Sequence, residues 1–413
     1  VAGSMFLWGG PVWDDSTLIV GRLVTLDMGG IGALWAGPVT ESGPGSTYYR
    51  PLALSLMALV GKLGMPALHG LAMAAHIASA AMMVHLCRGA KAPLAAGLIV
   101  ALHPLVSEVL GWASALPDAL ALSLGLLASV TGGGVALAVF GLAGALCKET
   151  ALLLPLCFGM AGMLKGGWWR GWLVAVVGAL ALRYAVGVQS PADVMAKFSL
   201  VPDALAWSLS SLAWPWPMSA VRDVRLAPAW ALMVGPLVVV GMALAARRNR
   251  RAWSGLGLAL VAPVLALPTI LDGYLVAERY MYPALAGVGL WAAEVWPAMS
   301  RRVAVVVGAA SLLIGGGSLF KRAPAWSSDA ALFDAAVTAE PTSSLAWHLK
   351  GMVHLHSGEA SSAADAFAQA IAMGHPYPTD RTLRLRALVE SGRTGEALAW
   401  AEQGPVDGLT AEH

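Results

Sequence analysis

The chain has 413 residues, of which 58% are hydrophobic and only 12% are charged, and its mean hydropathy is +0.69. Soluble domains carry about 25% charged residues, so this composition excludes an ordinary soluble protein and predicts an integral membrane protein. A net charge of +2, with no basic cluster interleaved with aromatic residues, argues against a nucleic-acid partner. The three cysteines have no metal-ligand spacing and predict no disulfide framework, and whether a divalent metal is needed stays open.

Apolar runs broken by charge, Gly and Pro predict about eleven membrane-spanning helices. The first run, residues 1–12, is too short to cross a bilayer and is interpreted as the end of a membrane helix. The other spans are expected near residues 66–87, 92–110, 116–131, 134–147, 150–164, 171–187, 228–246, 253–271, 281–299 and 303–320. Residues 1–322 are therefore predicted to form an all-α, polytopic membrane domain.

Four short turns between the predicted spans carry clusters of basic residues. These are Arg88, Lys91, Lys165, Arg170, Arg247, Arg248, Arg250, Arg251, Arg301 and Arg302. Counting the spans in order places all four turns on one side, which the positive-inside rule makes cytoplasmic. Most of the acids and two long segments, 13–65 and 188–227, then lie on the outer side. Within these segments the amphipathic stretches 16–28 and 203–213 are expected to lie in the membrane interface. We therefore expect function on the outer side.

From residue 323 the composition changes to Ala, Ser, Asp and Glu with helical spacing. Phe333 and Ala336 recur 34 residues later as Phe367 and Ala370. This period is typical of a tetratricopeptide repeat, in which small residues let two helices approach and an aromatic ring fills the space between units. Residues 323–413 are thus predicted to form a short extracytoplasmic tetratricopeptide-repeat module, with an unrelated helical hairpin as the alternative.

Several acids interrupt apolar sequence on the expected outer side. Asp14 and Asp15 follow the first run; one acid suffices to cap a helix, so the pair is a candidate general base, with capping as the alternative. Glu108 lies at the expected membrane edge, where an ionisable group is costly and predicts function. His103 and Asp118 belong to the same outer turn, although a lone histidine is more often structural than catalytic.

Three isolated cations are expected on the same side. Arg50 stands in YYRPL, Lys148 in CKET and Arg279 in AERYMYP. A lysine suits a phosphate as a point charge, and an arginine can bind it with two hydrogen bonds. Snorkelling to the interface is the alternative for Lys148. The remaining site candidates are Glu149, Glu278 and Tyr280.

Carboxylates and cations from distant segments thus gather on one predicted face. This arrangement suits transfer from an anionic, lipid-borne phosphate donor, in which a carboxylate takes a proton from an acceptor hydroxyl and cations hold the departing phosphate. A transporter is a competing interpretation. Transporters place their polar groups near the midplane between repeated halves, and this sequence has no matching halves.

The order of the motifs resembles a known family. An acid pair, YYRPL, HPLVSEVLGW, ALPDAL, KETALLLP and AERYMYP, followed by repeats, is similar to the transmembrane and tetratricopeptide-repeat O-mannosyltransferase family, as a short member of bacterial type. That family belongs to the GT-C superfamily of glycosyltransferases. The resemblance covers nearly the whole chain and implies a GT-C fold. It also implies a polyprenyl-phosphate sugar, typically mannose, as donor and a protein Ser/Thr hydroxyl as acceptor, engaged by the repeats.

The resemblance also implies residue roles and a location. It places Asp14 and Asp15 at the catalytic centre, Glu108 near the acceptor, and Lys148 and Arg279 near the donor phosphate. The implied location is a bacterial inner membrane, with the site and the tail outside the cytoplasm. Two features depart from the family: the repeats are few, and Leu116-Pro117 stands where the family tends to show Gly-Arg. A catalytically inactive GT-C-like subunit that recruits partners through its repeats is the alternative.

Overall fold

The computed structural model describes residues 3–37, 48–188, 198–213, 215, 218–273, 275–296, 300–374 and 379–402. Within these ranges the regular structure is helical and no extended strand forms, apart from an isolated antiparallel bridge between Asp223 and Leu275. The prediction of an all-α protein is therefore confirmed.

The described residues of the first half of the chain form nine α-helices. They are α1 (Met28–Ala33), α2 (Pro51–Gly61), α3 (Met65–Leu86), α4 (Pro93–Leu102), α5 (Val106–Gly111), α6 (Leu116–Thr131), α7 (Gly134–Ala145), α8 (Leu153–Met160) and α9 (Trp168–Ala185). Proline occupies the first or second position of α2, α3, α4 and α6. The missing proline N–H is no loss there, because the first helical N–H groups have no intrahelical partner.

The second half continues with longer apolar helices and ends in a run of short ones. The longer helices are α10 (Val201–Ala213), α11 (Ala229–Ala246), α12 (Arg250–Gly273), α13 (Tyr282–Val295) and α14 (Arg301–Arg322). The tail contains α15 (Asp329–Ala339), α16 (Ser344–His356), α17 (Ala360–Ala372), α18 (Thr379–Glu390) and α19 (Thr394–Ala401). The remainder of the predicted tail module, 403–413, lies outside the described residues.

Three helical segments are long and apolar enough to cross a membrane: Met65–Leu86, Ala113–Thr131 and Ala229–Ala246. Other helices also expose large apolar side chains, including Val177 on α9 and Leu313 on α14. Contiguous apolar surface of this kind is unusual on soluble proteins. Length, composition and exposed surface together support a helical membrane protein.

One predicted span differs from the structure. The span expected at 92–110 is broken, since α4 ends at Leu102 and His103 takes an extended conformation before Pro104, as residues before proline tend to do. The amphipathic stretch 16–28 forms short π and 3-10 turns at Ser16–Val20 and Leu23–Thr25. The second amphipathic stretch, 203–213, does lie within one helix, α10.

One hydrophobic core joins the membrane part to the first tail helix. It includes Leu285 of α13 together with Trp326 and Phe333 beyond the predicted boundary at residue 322. Gly111 at the end of α5 makes this approach possible, because a Cβ there would lie 2.3 Å from Cγ of Trp326. The tail therefore begins by packing on the membrane part.

The later tail helices have a core of their own, which contains Phe367, Leu388 and Trp400. Helices α16 and α17 pack along each other, and Gly351 admits the Phe367 ring, since a Cβ at Gly351 would lie 2.8 Å from its Cε1. The Phe367 ring thus lies in the contact between α16 and α17.

The contact between Gly111 and Trp326 predicts a stability change. Gly111→Ala places a methyl group inside the Trp326 ring, and overpacking of this kind costs about 1–3 kcal/mol. Gly316→Ala on α14 is the matched control, because a Cβ there meets no heavy atom within 4 Å. Denaturant unfolding in detergent micelles should show a lower free energy of unfolding for Gly111→Ala and an unchanged one for Gly316→Ala. Equal stability of the two variants would contradict the packing described here.

Candidate functional site

A cavity of about 260 Å³ lies among the segments that carry the predicted site residues. Its wall comes from the stretch at residues 14–18, from the N-terminal ends of α2 and α6, from α12, and from the segments just before α8 and α13. The predicted site residues that line it are Asp14, Arg50, Asp118, Lys148, Glu149, Arg279 and Tyr280. The lining does not include Asp15, Glu108, His103 and Glu278. The structure therefore divides the candidates into two groups.

Asp15 fixes the loop that carries its neighbour. Its buried carboxylate accepts hydrogen bonds from the backbone N–H groups of Val12 (3.2 Å), Ala113 (3.3 Å) and Ser114 (2.8 Å), and from Ser114 Oγ (2.6 Å). Burial raises the pKa of Asp15 to about 6 in spite of these bonds, because the charged form loses its hydration. Asp15 thus ties the first loop to the start of the segment Ala113–Thr131.

Asp14 turns to the cavity, where its carboxylate accepts a hydrogen bond of 3.0 Å from Trp112 Nε1. Trp112 stacks on Trp13 with 5.2 Å between ring centroids. Trp13 has a φ of 58° and is the one left-handed residue other than glycine in the described part of the chain. Such a conformation is costly for a bulky residue. Of the two acids that follow Trp13, Asp14 lines the cavity and Asp15 is fully buried.

The tail contacts the same loop. The backbone N–H of Trp13 donates to Asp329 Oδ1 at 2.5 Å, and the Trp13 ring meets Phe333 edge-on with 5.8 Å between centroids. Both partners belong to α15. The first tail helix therefore supports the backbone one residue before Asp14.

Glu108 holds Arg279 rather than facing the cavity. Its fully buried carboxylate accepts hydrogen bonds from the Arg279 guanidinium and, at 3.0 Å, from the Arg279 backbone N–H. The guanidinium carbon also lies 4.4 Å from the ring centroid of Trp112 and 4.8 Å from that of Tyr280. A carboxylate at one edge and two aromatic contacts fix the direction of this cation at the cavity wall.

Lys148 is paired in a similar way. Its Nζ lies 2.5 Å from Asp118 Oδ1, and both side chains are almost fully buried. Desolvation lowers the pKa of Lys148, and the negative charge of Asp118 opposes that change. Nζ also lies 5.3 Å from the centroid of Tyr280, so this ring lies close to two of the cavity cations.

Arg50 differs from the other two cations. It precedes α2, with its guanidinium carbon 4.9 Å from the centroid of Tyr48. Its Nε is buried and has no hydrogen-bond partner, and no carboxylate lies within ion-pair distance of Arg50 among the described residues. A buried donor without a partner is costly. Glu149, which is exposed to the cavity, contributes to the field around Arg50.

The last two candidates connect neighbouring segments. Glu278 Oε2 accepts a hydrogen bond of 3.0 Å from Arg322 Nη2 at the end of α14. Burial raises the pKa of Glu278 to about 7, and the charge of Arg322 opposes this. His103 Nε2 lies 3.1 Å from the carbonyl oxygen of Leu212 in α10. Glu278 and His103 thus join neighbouring segments outside the cavity wall.

Three neighbours of the candidate residues were not predicted from the sequence: Trp112, Ser114 and Arg322. Trp112 and Ser114 follow Glu108 within a few positions, so the available signal was a polar aromatic residue beside acids. Arg322 gave none, since its partner Glu278 is distant in sequence.

Two of the basic turns, at 165–170 and 247–251, lie near the C-terminal ends of α6 and α8. Arg250 Nε donates to the carbonyl oxygen of Met160 at 2.7 Å, and Arg251 Nη1 lies 3.3 Å from Glu294 Oε1. Helix α6 carries Asp118 in its first turn and ends where Lys165 N–H donates to Gly132. Its 16 residues separate the cavity from the basic turns by about 24 Å.

Comparisons with models of known protein families, with curated proteins and with solved structures find no match. Within the described ranges, no group of three or more His, Cys, Asp or Glu residues is placed to hold a metal ion. The functional argument therefore rests on the cavity itself.

The raised pKa of Asp15 predicts a pH dependence of stability. The folded protein binds this proton more tightly than the unfolded chain, whose aspartate pKa is 3.8. The stabilising contribution of Asp15 is therefore complete below about pH 4 and is lost as the pH rises through about 6. The free energy of unfolding, measured in detergent, should fall with rising pH across this range in the parent and in Asp14→Asn. In Asp15→Asn this fall should be absent. A parental slope in Asp15→Asn would refute the assignment.

Proposed function

We propose that the protein is a membrane glycosyltransferase of GT-C type. It moves a sugar, with mannose the expected one, from a polyprenyl-phosphate donor to a hydroxyl acceptor, in the first instance a protein Ser or Thr. The reaction takes place on the extracytoplasmic face of a bacterial inner membrane. The resemblance to the transmembrane and tetratricopeptide-repeat O-mannosyltransferases suggested this function, and the contents of the cavity support it.

The observation that carries the proposal is the meeting of three cations beside one cavity-facing acid. Arg50, Lys148 and Arg279 come from segments far apart in the chain and line the same space as Asp14. Three like charges around one space repel one another, and a bound anion would offset that repulsion. A lipid phosphate would supply the matching negative charge, and its hydrocarbon chain would contact the apolar helices around the cavity.

The proposal gives each side chain a role. Asp14 takes the proton of the acceptor hydroxyl as its oxygen attacks C1 of the sugar. The bond from C1 to the phosphate oxygen breaks, and the electron pair leaves with the polyprenyl phosphate. Arg279, Lys148 and Arg50 hold the charge that develops on that phosphate. Asp15 and Glu108 act as positioning residues, because each binds a neighbour rather than facing the cavity.

The membrane arrangement is part of the proposal. About eleven spans, assigned by hydropathy, place the basic turns in the cytoplasm and the cavity outside. The separation of the cavity from the basic turns along α6 supports this arrangement. The tail, read as tetratricopeptide repeats, then lies outside as well and presents the acceptor protein, and its contact with Trp13 is consistent with that position.

An inactive GT-C-like subunit is the second candidate, and one observation favours it. Two of the three cations already have buried carboxylate partners, Asp118 and Glu108. Such pairs stabilise a scaffold even if no ligand ever binds. Absence of sugar transfer by a folded protein that still binds partners through α15–α19 would support this candidate.

The role of Asp14 predicts a large loss of rate. Asp14→Asn keeps an oxygen that accepts from Trp112 but removes the base, and general base catalysis contributes about 10²–10⁴-fold. Asp27→Asn is the control: it removes the same charge from the same exposed segment and preserves the cap of α1, where Asp27 accepts from Gly30 N–H at 2.7 Å. Transfer of labelled sugar from polyprenyl phosphate in proteoliposomes is the measurement. Parental rates in Asp14→Asn would exclude Asp14 as the base.

The cations predict two different kinds of loss. Arg50→Ala removes a cation without leaving a buried carboxylate unpaired, and a charged hydrogen bond contributes about 1.5–3 kcal/mol. We therefore expect the KM for donor to rise about tenfold to a hundredfold, with parental stability. Arg279→Ala leaves Glu108 buried and unpaired, which costs about 3–5 kcal/mol of stability.

The double variant Arg279→Met/Glu108→Gln separates these effects, because it removes both charges together. It should recover stability over Arg279→Ala and still use donor poorly. Recovery of parental donor use in that folded double variant would move the phosphate site away from Arg279.

The arrangement in the membrane predicts opposite labelling of two cysteines. The three native cysteines are buried. Ser361 is exposed on α17, and Gly166 lies in a basic turn where a Cβ meets no atom within 4 Å. In intact cells an impermeant thiol reagent should label Ser361→Cys, and Gly166→Cys should react only after the membrane is opened. The reverse pattern would place the tail and the cavity in the cytoplasm.

A further inference from the structure

The first tail helix, α15, contacts two different loops at its opposite ends. At its start, Asp329 Oδ1 accepts the 2.5 Å hydrogen bond from the backbone N–H of Trp13. At its end, Glu340, which directly follows the last helical residue, accepts a hydrogen bond of 2.9 Å from Arg222 Nε. The 11 residues of α15 separate these two contacts by about 16 Å at helical rise.

The contact at the end of α15 is a buried ion pair. Arg222 is 3% exposed and Glu340 is 8% exposed, and the Arg222 guanidinium carbon lies 4.0 Å from the ring centroid of Trp207. A buried ion pair is costly to break, because a charge left alone there has lost its hydration and gained no partner. The pair therefore fixes the end of α15 on the segment that contains Arg222.

That segment is joined in turn to the one that carries Arg279. The backbone N–H of Val276 donates to the carbonyl oxygen of Arg222 at 2.8 Å, and Asp223 forms the antiparallel bridge with Leu275. Arg279 follows three residues after Val276. The end of α15 is thus connected, through one ion pair and a short backbone pairing, to a cation at the cavity wall.

We propose that α15 is a positioning helix, whose contacts through Asp329 and Glu340 set the separation of Asp14 from Arg279 in the cavity. The inference rests on the proposed function for the reaction that this separation serves. Asp14 directly follows Trp13, so the start of the helix orients the acid, and its end orients the cation. Neither Asp329 nor Glu340 lines the cavity, so both act through other residues.

The start of the helix predicts a loss of kcat. Asp329→Ala removes the acceptor of the Trp13 N–H, and the loop that carries Asp14 is then held less firmly. A misplacement of about 1 Å can cost about 10²-fold in rate, so we expect kcat to fall about tenfold to a hundredfold with a parental KM for donor. Asp329→Asn keeps an oxygen that can accept from Trp13 and should restore the parental kcat.

The end of the helix predicts a loss of donor binding. Glu340→Ala alone leaves Arg222 buried without its carboxylate and risks unfolding, so the variant to use is Arg222→Met/Glu340→Ala, which removes both charges. The segment that carries Arg279 then loosens, and the KM for donor should rise about tenfold with a parental kcat. Arg322 still holds Glu278 in this variant, which keeps the loss partial.

Asp334→Ala is the matched control on the same helix. Asp334 is exposed and pairs with Lys350 of α16. An ion pair of this kind contributes little to stability. The control should therefore keep the parental kcat and the parental KM.

The first measurement needs no sugar transfer. Hydrogen exchange in lipid nanodiscs, read by mass spectrometry after pepsin digestion, reports how firmly each segment is held. Exchange should be faster at residues 12–18 in Asp329→Ala and at residues 275–281 in the double variant, and it should be parental at both segments in Asp329→Asn and Asp334→Ala. Parental exchange at either segment in its own variant would overturn the inference. Faster exchange spread evenly over the whole chain would also overturn it, because that indicates a general loss of stability.

The second measurement is transfer of labelled sugar in proteoliposomes at varied donor concentration. The inference predicts a fall in kcat alone for Asp329→Ala and a rise in donor KM alone for the double variant. Equal changes of kcat and KM in both variants, or parental values in both, would show that α15 supports the fold without positioning the site. No transfer by the parent, with the expected exchange changes at both segments, would refute the proposed function and leave α15 as the helix that holds both loops.

Discussion

Two buried ion pairs are the constraint on which the cavity depends. Glu108 holds Arg279, and Asp118 holds Lys148, in surroundings that exclude most water. Charges in such places are costly unless each has a partner with good geometry. The pairs therefore fix where α5, α6 and the segments before α8 and α13 meet. They also leave two cations at the wall of a space in which Arg50 has no carboxylate partner among the described residues.

A second constraint is the loop at residues 12–15. Asp15 binds the backbone of Ala113 and Ser114, and Asp14 lines the cavity. Trp13 and Phe333 bring the tail to the same place, and Trp112 joins Asp14 to Arg279. Asp14, Arg279 and the first tail helix thus belong to one connected network. A change in how the tail packs should therefore alter the position of Asp14 first.

Sequence reasoning found Lys148 because it interrupts an apolar run, where a charge is costly and calls for a physical explanation. Asp118 was predicted because it shares a turn with Glu108, and both Lys148 and Asp118 line the cavity. The split between Asp14 and Asp15 was beyond the sequence, because it depends on tertiary contacts: Asp15 binds the backbone of Ala113 and Ser114, 98 and 99 positions away. The pairing of Glu108 with Arg279 was also out of reach, since the two residues are 171 positions apart. The helical class followed from apolar periodicity, but the break at His103 depends on local backbone geometry.

The central claim is that Arg50, Lys148 and Arg279 together bind the phosphate of a polyprenyl-phosphate sugar beside Asp14. The most direct measurement is a structure of the protein in lipid nanodiscs with a non-transferable donor analogue bound. The account predicts phosphate oxygens within hydrogen-bond reach of the three cations and the anomeric carbon of the sugar on the side of Asp14. A donor bound elsewhere, with the cavity empty and both ion pairs unchanged, would contradict it.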